Sequence, residues 1–379
     1  MISPPTSHLE LFDWLRLIRS ENVGPIAFYR LLEKFGSASQ ALKSLSEDTK
    51  KIPSLRTIKI APKKDIEDEL QAIEKNSAQL ITRGDAAYPR TLESLPDAPP
   101  VLSVLGDIDL LSEQSIAIVG ARNASLNGKK FAYNLARELG KEKYIIVSGL
   151  ARGIDTQAHT GAIKSYKTIA VVAGGANIIY PSENKSLYER IASEGAIVSE
   201  TAWGLQPQAK HFPRRNRLVS ALSKGVVVVE AALKSGSLIT ARFALEQGRD
   251  VFAVPGSPLD PRCRGTNNLL RNGAVVTEGI TDILENLPSF ERPSTRTPLK
   301  NTFNFDSVQI AQPATPDTEH PTSNLLNNVI ENLSYSAIGV DELIRQCQTS
   351  PQEVLNILSE LELEGKVERH ANNKVSLTA

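Results

Sequence analysis

An α/β fold, with a parallel sheet covered by helices on both faces, is predicted for the central region of this chain, residues 81–288. Short apolar runs rich in valine and isoleucine alternate there with helical patterns, and glycine-containing turns bound many of the runs. The helical patterns are regular, since Phe131, Leu135 and Leu139 recur at intervals of four residues. The predicted strands cover residues 116–119, 144–147, 168–172, 196–199, 226–229, 251–254 and 274–277.

The first part of the chain, residues 1–80, has the pattern of a small helical domain. Residues 23–25 form a Val-Gly-Pro turn, and the following segment places Leu31, Leu32 and Phe35 on one helix face. This arrangement resembles SAM-like and helix-hairpin-helix modules, which can hold a DNA backbone through turn amides or can simply pack on a neighbour. Basic and acidic residues are nearly balanced here, which favours packing.

A linker and a second small domain are predicted after the sheet. Residues 289–322 are rich in Pro, Thr and Ser without periodicity, which indicates a flexible linker. Residues 323–379 show helical patterns followed by two short strands around Asn372-Asn373, the arrangement of a winged helix. The helical patterns cover residues 324–333, 340–347 and 352–363.

The winged-helix-like domain is acidic, with eight acidic residues against four basic ones between 323 and 379. Its third helix, which a winged helix would place in a DNA groove, carries Glu353, Glu360 and Glu362 and no Lys or Arg. Phosphate repels such a surface. We therefore expect this domain to hold a protein partner, or another part of its own chain, instead of duplex DNA.

Charge is balanced over the whole chain, with 43 basic and 43 acidic residues, so any nucleic-acid site has to arise from local segregation. Cys263 and Cys347 lie far apart and form neither a metal-binding spacing nor a disulfide framework, which predicts reduced thiols in a cytoplasmic protein. No apolar run reaches the ~18 residues that a membrane span needs, and the polar first residues do not resemble a signal peptide.

Basic residues are segregated in two stretches of the central region. No Asp or Glu occurs between Glu200 and Glu230, where residues 207–217 read PQAKHFPRRNR, and none occurs between Glu113 and Glu138. Such runs form either a solvated face or a site for a polyanion. The cations are Arg122, Lys129, Lys130 and Arg137 in one stretch and Lys210, Arg214, Arg215, Arg217 and Lys224 in the other.

Small-residue turns follow several predicted strands, at the edge of a parallel sheet where ligands bind. Glycine lets a ligand approach the backbone, and a helix N-terminus attracts phosphate. The architecture needs such turns even without a ligand, but Arg122 and Arg152 lie inside two of them. We therefore predict a phosphate-binding edge that includes Ser125, Gly149, Gly174 and Ser237. The turns cover residues 120–125, 148–153, 173–175 and 255–257, and residues 235–237 open a further helix.

Catalytic and cofactor motifs are missing. The stretch GARNASLNGKK has too many residues between its glycines for a P-loop, and no GxGxxG follows the first strand, so we expect no ATP hydrolysis, no dinucleotide, no other cofactor and no metal. Asp155 and His159 fit an acid–base couple, but a buried hydrogen bond between them is the favoured interpretation. Glu200 and Glu230 either face the crevice or, as we prefer, hold basic loop side chains. The sequence thus predicts a binding site and not an enzyme.

Several longer motifs follow one another along the central region. In chain order they include IAIVGARNAS, IVSGLARGIDTQAH, TIAVVAGGANIIYPSENKSL, FPRRNRLVSALS and VFAVPGSPLDPRCRGTNNLLRNGA. These motifs closely resemble those of the bacterial DNA-processing protein A (DprA/Smf) family. The resemblance implies an extended Rossmann-like fold that forms a homodimer and binds single-stranded DNA. It also implies that the protein protects incoming strands and loads the RecA recombinase onto them during natural transformation.

The resemblance assigns functional residues position by position. Arg122 matches the family's strand-contacting arginine, although Ala121 stands where many members have Ser. Lys185 and Tyr188 match a lysine and an aromatic contact after the YPxxN motif, and the signature Phe-Pro-x-Arg-Asn-Arg matches residues 212–217. With the turns included, the predicted DNA-binding set is Arg122, Ser125, Gly149, Arg152, Gly174, Lys185, Tyr188, Lys210, Phe212, Arg214, Arg215, Asn216, Arg217 and Ser237.

Flat side chains for stacking on bases are available near the basic loops in Tyr180, Tyr188 and Phe212. Each also suits a hydrophobic core, and for Tyr180 the core is favoured.

Two other functions remain open. Related folds include nucleotide phosphoribohydrolases, but Ala241-Arg242 stands here where their catalytic glutamate would lie. A scaffold protein that holds a small phosphate ligand is the third possibility.

Overall fold

The computed structural model of the chain describes residues 4–47, 58–287, 321–347 and 349–378. The predicted linker, residues 289–322, lies outside the described residues except for its last two positions, which begin a helix.

The N-terminal domain is helical, as predicted. Trp14 and Phe28 pack edge to face with ring centroids 5.1 Å apart, and Tyr29 continues this aromatic core. The hydroxyl of Tyr29 donates to the carbonyl of Ala98, 3.0 Å away, and Val101 belongs to the same apolar cluster. The domain therefore packs on the central region, as its balanced charge indicated. Its helices are α1 (His8–Ile18), α2 (Pro25–Phe35), α3 (Ala38–Glu47) and α4 (Lys63–Lys75).

The central region contains a mixed sheet with the strand order β1-β2-β6-β5-β4-β3-β7-β8-β9. Strands β3 to β9 run parallel and include every strand that the sequence predicts, with ends shifted by one or two residues. Its strands are β1 (Gln79–Thr82), β2 (Val101–Gly106), β3 (Ser115–Val119), β4 (Ile145–Ser148), β5 (Thr168–Val171), β6 (Ala196–Ser199), β7 (Gly225–Val228), β8 (Asp250–Ala253) and β9 (Val275–Val276).

The antiparallel strands β1 and β2 were missed, and the expectation of a purely parallel sheet is corrected. Strand β1 contains residues from both sides of the expected boundary between 80 and 81. Both strands lie next to polar or proline-rich segments, although Gly84 follows β1 and Gly106 ends β2, both with positive φ angles. Strand β1 pairs with β2, and β2 pairs with β6, which is a long-range contact that a local pattern does not reveal.

Helices cover both faces of the sheet, as predicted, because alternate strand residues point to opposite sides. Ala117 and Val119 pack in the apolar cluster that contains Leu218 of α9, whereas Ile116 and Ile118 pack in the cluster of α6 and α7. The helices of the region are α5 (Arg90–Glu93), α6 (Leu126–Lys141), α7 (Ile154–Ile163), α8 (Lys185–Glu194), α9 (His211–Ala221), α10 (Gly236–Glu246), α11 (Arg264–Arg271) and α12 (Ile280–Asn286).

The C-terminal domain is a winged helix, as predicted. Asn372 and Asn373 both have positive φ angles, 61° and 53°, which suits the tight turn between its last two strands. Ser350 and Glu353 form a reciprocal capping box at the start of the third helix. The elements are α13 (Pro321–Asn332), β10 (Ile338–Gly339), α14 (Val340–Cys347), α15 (Pro351–Leu363), β11 (Val367–His370) and β12 (Lys374–Leu377).

The strand order reverses at β3, whose neighbours are β4 on one side and β7 on the other. Open α/β sheets bind ligands in the crevice at such a switch point, beyond the carboxyl ends of the strands. The loop of residues 120–125, between β3 and α6, lies at this point.

Two leucine substitutions test the packing of the central region. Leu139 of α6 is fully buried, whereas Leu233 is about half exposed. We expect Leu139→Ala to lower the free energy of unfolding by about 2–5 kcal/mol, because it leaves a cavity between α6 and the sheet. Leu233→Ala, the matched control, should change it by less than about 0.5 kcal/mol. Urea denaturation of both variants measures the difference, and equal effects would contradict the packing.

Candidate nucleic-acid interface

The β3–α6 loop is held by a buried carboxylate. Glu230, just after β7, accepts hydrogen bonds from the amide nitrogen of Ser125 at 2.9 Å and from its hydroxyl at 2.5 Å. The Ser125 hydroxyl oxygen also accepts from the amide of Gly128 at 3.0 Å and so caps α6. Ser125 is therefore buried and positions the loop. Glu230 was expected to hold a basic side chain, and that expectation is wrong.

A cation and two aromatic rings converge above the carboxyl ends of the strands. The guanidinium of Arg122 lies 5.5 Å from the ring centroid of Phe212, and this ring meets Tyr180 edge to face at 5.6 Å. The three residues come from the β3–α6 loop, the segment after β5 and the start of α9. We call Arg122, Tyr180 and Phe212 the aromatic cluster. It offers a positive charge beside flat apolar surface, the combination that a single nucleic-acid strand requires.

The roles expected for Tyr180 and Tyr188 are reversed in the structure. Tyr180 is 41 % exposed, whereas Tyr188 is buried on the sheet side of α8 and donates its hydroxyl to the carbonyl of Ala176. Burial raises the pKa of Tyr188 to about 12. Its ring therefore belongs to the core and is not available for stacking. The sequence did indicate a loop position for Tyr180, because it directly precedes Pro181 and a residue before a proline favours a turn or an extended loop.

The basic run on α9 is divided between surface and interior. Lys210 and Arg214 are exposed, and within the described ranges neither they nor Arg122 has an ion-pair partner. Arg215 and Arg217, predicted to line the groove, are instead 7 % and 6 % exposed. Lys210 and Arg214 are four residues apart and lie on the same side of the chain as it enters α9. Arg215 is buried against Gly149, and Arg217 is buried against Glu200 and Asp97. The exposed cations can reach a ligand, and the buried ones cannot without rearrangement.

Arg217 ties α9 to the rest of the central region. Its Nη2 donates to a carboxylate oxygen of Glu200, and its Nε lies 3.3 Å from Oδ2 of Asp97. The prediction that Glu200 holds a basic side chain is thus confirmed. Arg19 of the N-terminal domain donates to the carbonyl of Glu200 at 3.0 Å, and Glu69 of α4 pairs with Arg19 at 2.9 Å. The network joins the N-terminal domain to the start of the segment between β6 and α9, which leads to the basic run.

Arg215 lies directly beneath the glycine turn after β4. A β-carbon on Gly149 would come within 1.2 Å of its Nη1, so any side chain there would have to displace the Arg215 guanidinium. Burial lowers the pKa of Arg215 to about 10, although the Asp155 carboxylate acts in the opposite direction. Asp155 itself accepts from the amides of Gly149 and Ala151, at 3.1 and 3.3 Å. Gly149 is therefore a packing residue, and Arg215 adds a buried positive charge below the surface near Arg122.

The remaining glycine and hydroxyl positions of the predicted set also serve packing. Gly174 is buried, and a β-carbon there would lie 2.9 Å from the carbonyl oxygen of Leu205. Ser237 is buried with its hydroxyl 2.7 Å from that of Ser235. Asn216 is partly exposed and donates to the carbonyl of Gly236 at 3.1 Å.

Two further predicted cations are exposed but paired. Arg152 lies 3.7 Å from a carboxylate oxygen of Glu183, and Lys185 lies 3.9 Å from one of Glu189. Exposed pairs of this kind contribute little energy, so a phosphate can replace the carboxylate.

Asp155 and His159 do not hydrogen-bond to each other, so the favoured interpretation of this pair is wrong. The Nδ1 of His159 lies 2.7 Å from the hydroxyl of Thr168, and Asp155 binds the backbone amides of the glycine turn. One turn of α7 separates the two residues, but they point to different partners. Burial lowers the pKa of His159 to about 3, so the ring is neutral.

Cys263 and Cys347 are both free and buried, and burial raises the pKa of Cys263 to about 12. Among the residues with described coordinates, no three His, Cys, Asp or Glu side chains are grouped so that they could hold a metal ion. None of the helices that the structure describes combines the length and apolar character needed to cross a bilayer.

Fold and site together define a three-part protein. A Rossmann-like core with a cationic, aromatic edge lies between a helical domain and a winged helix. The family model for DNA recombination-mediator protein A matches residues 79–288, and those for the DprA-like N-terminal HHH domain and the DprA winged helix domain match residues 8–72 and 312–373. The chain belongs to this DNA-processing family, DprA/Smf, and the resemblance of its motifs is confirmed.

Relatives in several bacteria are similar in sequence to more than half of this chain. Protein Smf of Escherichia coli is 38% identical over 306 residues, which cover 80% of this chain and 79% of the relative. DNA processing protein DprA of Bacillus subtilis is 45% identical over 221 residues, which cover 58% and 74%.

Two solved structures are similar to this chain. That of DprA from Streptococcus pneumoniae has a TM-score of 0.63 and 31% identity, covering 75% of this chain and 99% of that one. That of DprA from Helicobacter pylori, which addresses the single-stranded DNA binding mode of that protein, has a TM-score of 0.51 and 34% identity. It covers 55% of this chain and 95% of the other.

The contrast between Arg217 and Arg214 predicts different effects on stability. Arg217→Ala leaves the carboxylates of Glu200 and Asp97 without their cation, and we expect the free energy of unfolding to fall by about 3–5 kcal/mol. Arg214→Ala removes the same charge from an exposed position of the same helix and should change it by less than about 0.5 kcal/mol. Chemical denaturation compares the two. A similar loss in both variants would show that Arg217 does not anchor α9.

The buried neutral His159 predicts a loss of stability in acid. Its folded pKa of about 3 lies below the ordinary value of 6.5, so its contribution is complete above about pH 6.5 and is lost as the pH falls toward about 3. His159→Gln removes this titration. When the pH falls from about 7 to about 5, the free energy of unfolding should decrease by about 2 kcal/mol more in the wild type than in the variant. Denaturation at both pH values measures it, and a constant difference would refute the assignment.

Proposed function

We propose that this protein binds single-stranded DNA without sequence preference along the carboxyl edge of its sheet. We further propose that it acts as a recombination mediator that protects incoming strands and loads RecA onto them during natural transformation. The observation that carries the proposal is the aromatic cluster, in which Arg122 lies over Phe212 beside the exposed ring of Tyr180. Exposed cations, Lys210 and Arg214, continue from it along the start of α9.

The aromatic cluster and the neighbouring cations match the physical requirements of a single nucleic-acid strand. The phosphate backbone needs spaced cations, and each base that stacks on an aromatic ring contributes roughly 1–3 kcal/mol. Every base has a flat face, so such a surface tolerates any sequence. The exposed Tyr180, the ring of Phe212 and the Arg122 guanidinium, which has no ion-pair partner among the described residues, meet these needs, since Tyr180 and Arg122 lie 5.6 and 5.5 Å from the Phe212 ring.

Relatives support the recombination role. The matched family is described as a DNA recombination mediator, and the similar Helicobacter pylori protein binds single-stranded DNA. A mediator has to hold a strand and then pass it to a recombinase, so RecA is the partner that we propose. A homodimer and a cytoplasmic location, where strand and recombinase meet, belong to the same proposal.

Binding without chemistry is the function that the site supports best. A phosphoribohydrolase needs an accessible acid or base near the phosphate edge. Asp155 is buried and occupied by backbone amides, and His159 is buried and neutral. A scaffold for a small phosphate ligand would not need the two aromatic rings.

A pair of substitutions separates the charge of the aromatic cluster from its stacking surface. Arg122→Ala should weaken oligo-dT binding and flatten the salt dependence, log K against log salt, by about 0.7, because the protein then neutralises one phosphate fewer. Phe212→Ala should weaken binding by removing a stacking surface, with the slope nearly unchanged. Fluorescence anisotropy over a salt series measures both quantities, and Lys64→Ala, an exposed cation on α4, is the matched control.

The length of the oligonucleotide distinguishes a groove from a pocket. Affinity should rise over several nucleotides of oligo-dT if a strand lies along the edge, whereas a mononucleotide pocket would saturate at one. Unchanged affinity and slope in Arg122→Ala would place the strand elsewhere and contradict the proposal.

A further inference from the structure

The winged helix of this chain docks on the central region beside the aromatic cluster. Asn123, the neighbour of Arg122, donates its amide to the carboxylate of Glu331 at 2.9 Å. The Nζ of Lys129 donates to the side-chain oxygen of Asn332 at 2.7 Å. One loop therefore presents Arg122 to the proposed strand and its next residue to the winged helix.

Arg262 anchors the docked domain. A bidentate pair with Asp260, in which Nη2 lies 2.9 Å and Nε 3.0 Å from the carboxylate oxygens, fixes its guanidinium. The two Nη atoms then donate to the carbonyl oxygens of Glu331 and Leu333, at 2.8 and 2.7 Å. These carbonyls terminate α13, whose macrodipole places partial negative charge there. A cation held in this way recognises the end of a helix.

Apolar contact completes the interface. Leu126, the first residue of α6, is 3 % exposed and packs in the same apolar cluster as Val329 and Leu333 of the winged helix. Lys130 lies 3.5 Å from a carboxylate oxygen of Glu342 at the edge of the contact. We call the central-region side of this contact the docking surface; its residues are Asn123, Leu126, Lys129, Lys130 and Arg262.

The docking surface has the chemistry of a phosphate-binding strip. Its polar members are cations and an amide, all donors, and its partners are carboxylate, carbonyl and amide oxygens of the winged helix. A polynucleotide offers the same kind of acceptor in its phosphate oxygens. The surface is also continuous with Arg122 through Asn123, so a strand on the aromatic cluster is adjacent to it.

We propose that the docking surface is a second segment of the strand path, which the winged helix occupies until single-stranded DNA displaces it. This inference rests on the proposed function, because it extends the same binding edge. Strand binding and domain docking then compete for one set of donors. The affinity for long strands is reduced by the fraction of molecules that remain docked.

Substitutions on the winged-helix side test the competition without altering the docking surface. The double variant Glu331→Gln and Glu342→Gln removes both carboxylates that face it. We expect tighter binding of long oligo-dT, because the strand then displaces a domain that these two carboxylates no longer hold before it meets Lys129 and Lys130. The matched control is Glu360→Gln with Glu368→Gln, two exposed carboxylates of the same domain that lie away from the contact.

A further pair of substitutions identifies the residues that the strand gains. Adding Lys129→Ala and Lys130→Ala to the double variant should reverse the gain in affinity and flatten the salt slope by about 1.4, because two phosphate contacts are lost. Leu126→Ala, which weakens docking through an apolar side chain and changes no charge, should also increase affinity for long strands. If the double variant and Leu126→Ala both behave like the control, the competition does not exist.

Hydrogen exchange reports docking independently of affinity. In the wild-type chain, exchange around residues 329–334 should increase when saturating oligo-dT is added. Continued protection there would overturn the inference. Arg122→Ala in the same anisotropy series separates the two proposals: if it abolishes binding while the docking variants match the control, only the inference fails. If Arg122→Ala has no effect, the proposed function itself fails.

Discussion

The geometry of the binding edge depends on the contact between Glu230 and Ser125. The carboxylate follows β7, the serine precedes α6 after β3, and these two strands are neighbours where the strand order reverses. Two hydrogen bonds to one buried carboxylate therefore join the two halves of the sheet at their carboxyl ends. Arg122 extends from the loop that this contact fixes. The position of a flexible, exposed cation is thus set by a rigid and buried pair of residues.

Charge balance in this protein is reached between distant parts of the chain. The stretch around α9 contains no acid of its own, and the partners of its buried arginines come from elsewhere: Asp97 and Glu200 for Arg217, and Asp155 in the vicinity of Arg215. A buried cation without such a partner would cost several kcal/mol. The exposed cations of the same helix lack ion-pair partners within the described residues. A paired and buried arginine therefore anchors the helix, whereas an exposed cation without a partner can bind a ligand.

The two flanking domains contact different segments of the central region near the edge. Through Arg19 and Glu69, the N-terminal domain holds the start of the segment between β6 and α9. Glu69 also accepts a hydrogen bond from the amide of Trp203 at 3.1 Å. The winged helix contacts the β3–α6 loop. Its acidic character, which indicated a partner other than duplex DNA, agrees with its contact with Lys129 and Lys130 of its own chain. Both flanking domains therefore contact segments that carry proposed ligand residues.

The parallel strands, the winged helix and the family were predictable from the sequence, because apolar periodicity, glycine turns and ordered motifs are local properties of the chain. The sequence also located the basic run on α9. Which cations of that run are buried, and that Tyr180 and not Tyr188 is exposed, became apparent only in the packed fold. The same holds for the different partners of Asp155 and His159, for strands β1 and β2, and for the partners of Glu230. Burial and hydrogen bonding at these positions depend on residues up to a hundred or more places away, and a local pattern carries no record of which distant group will be the neighbour.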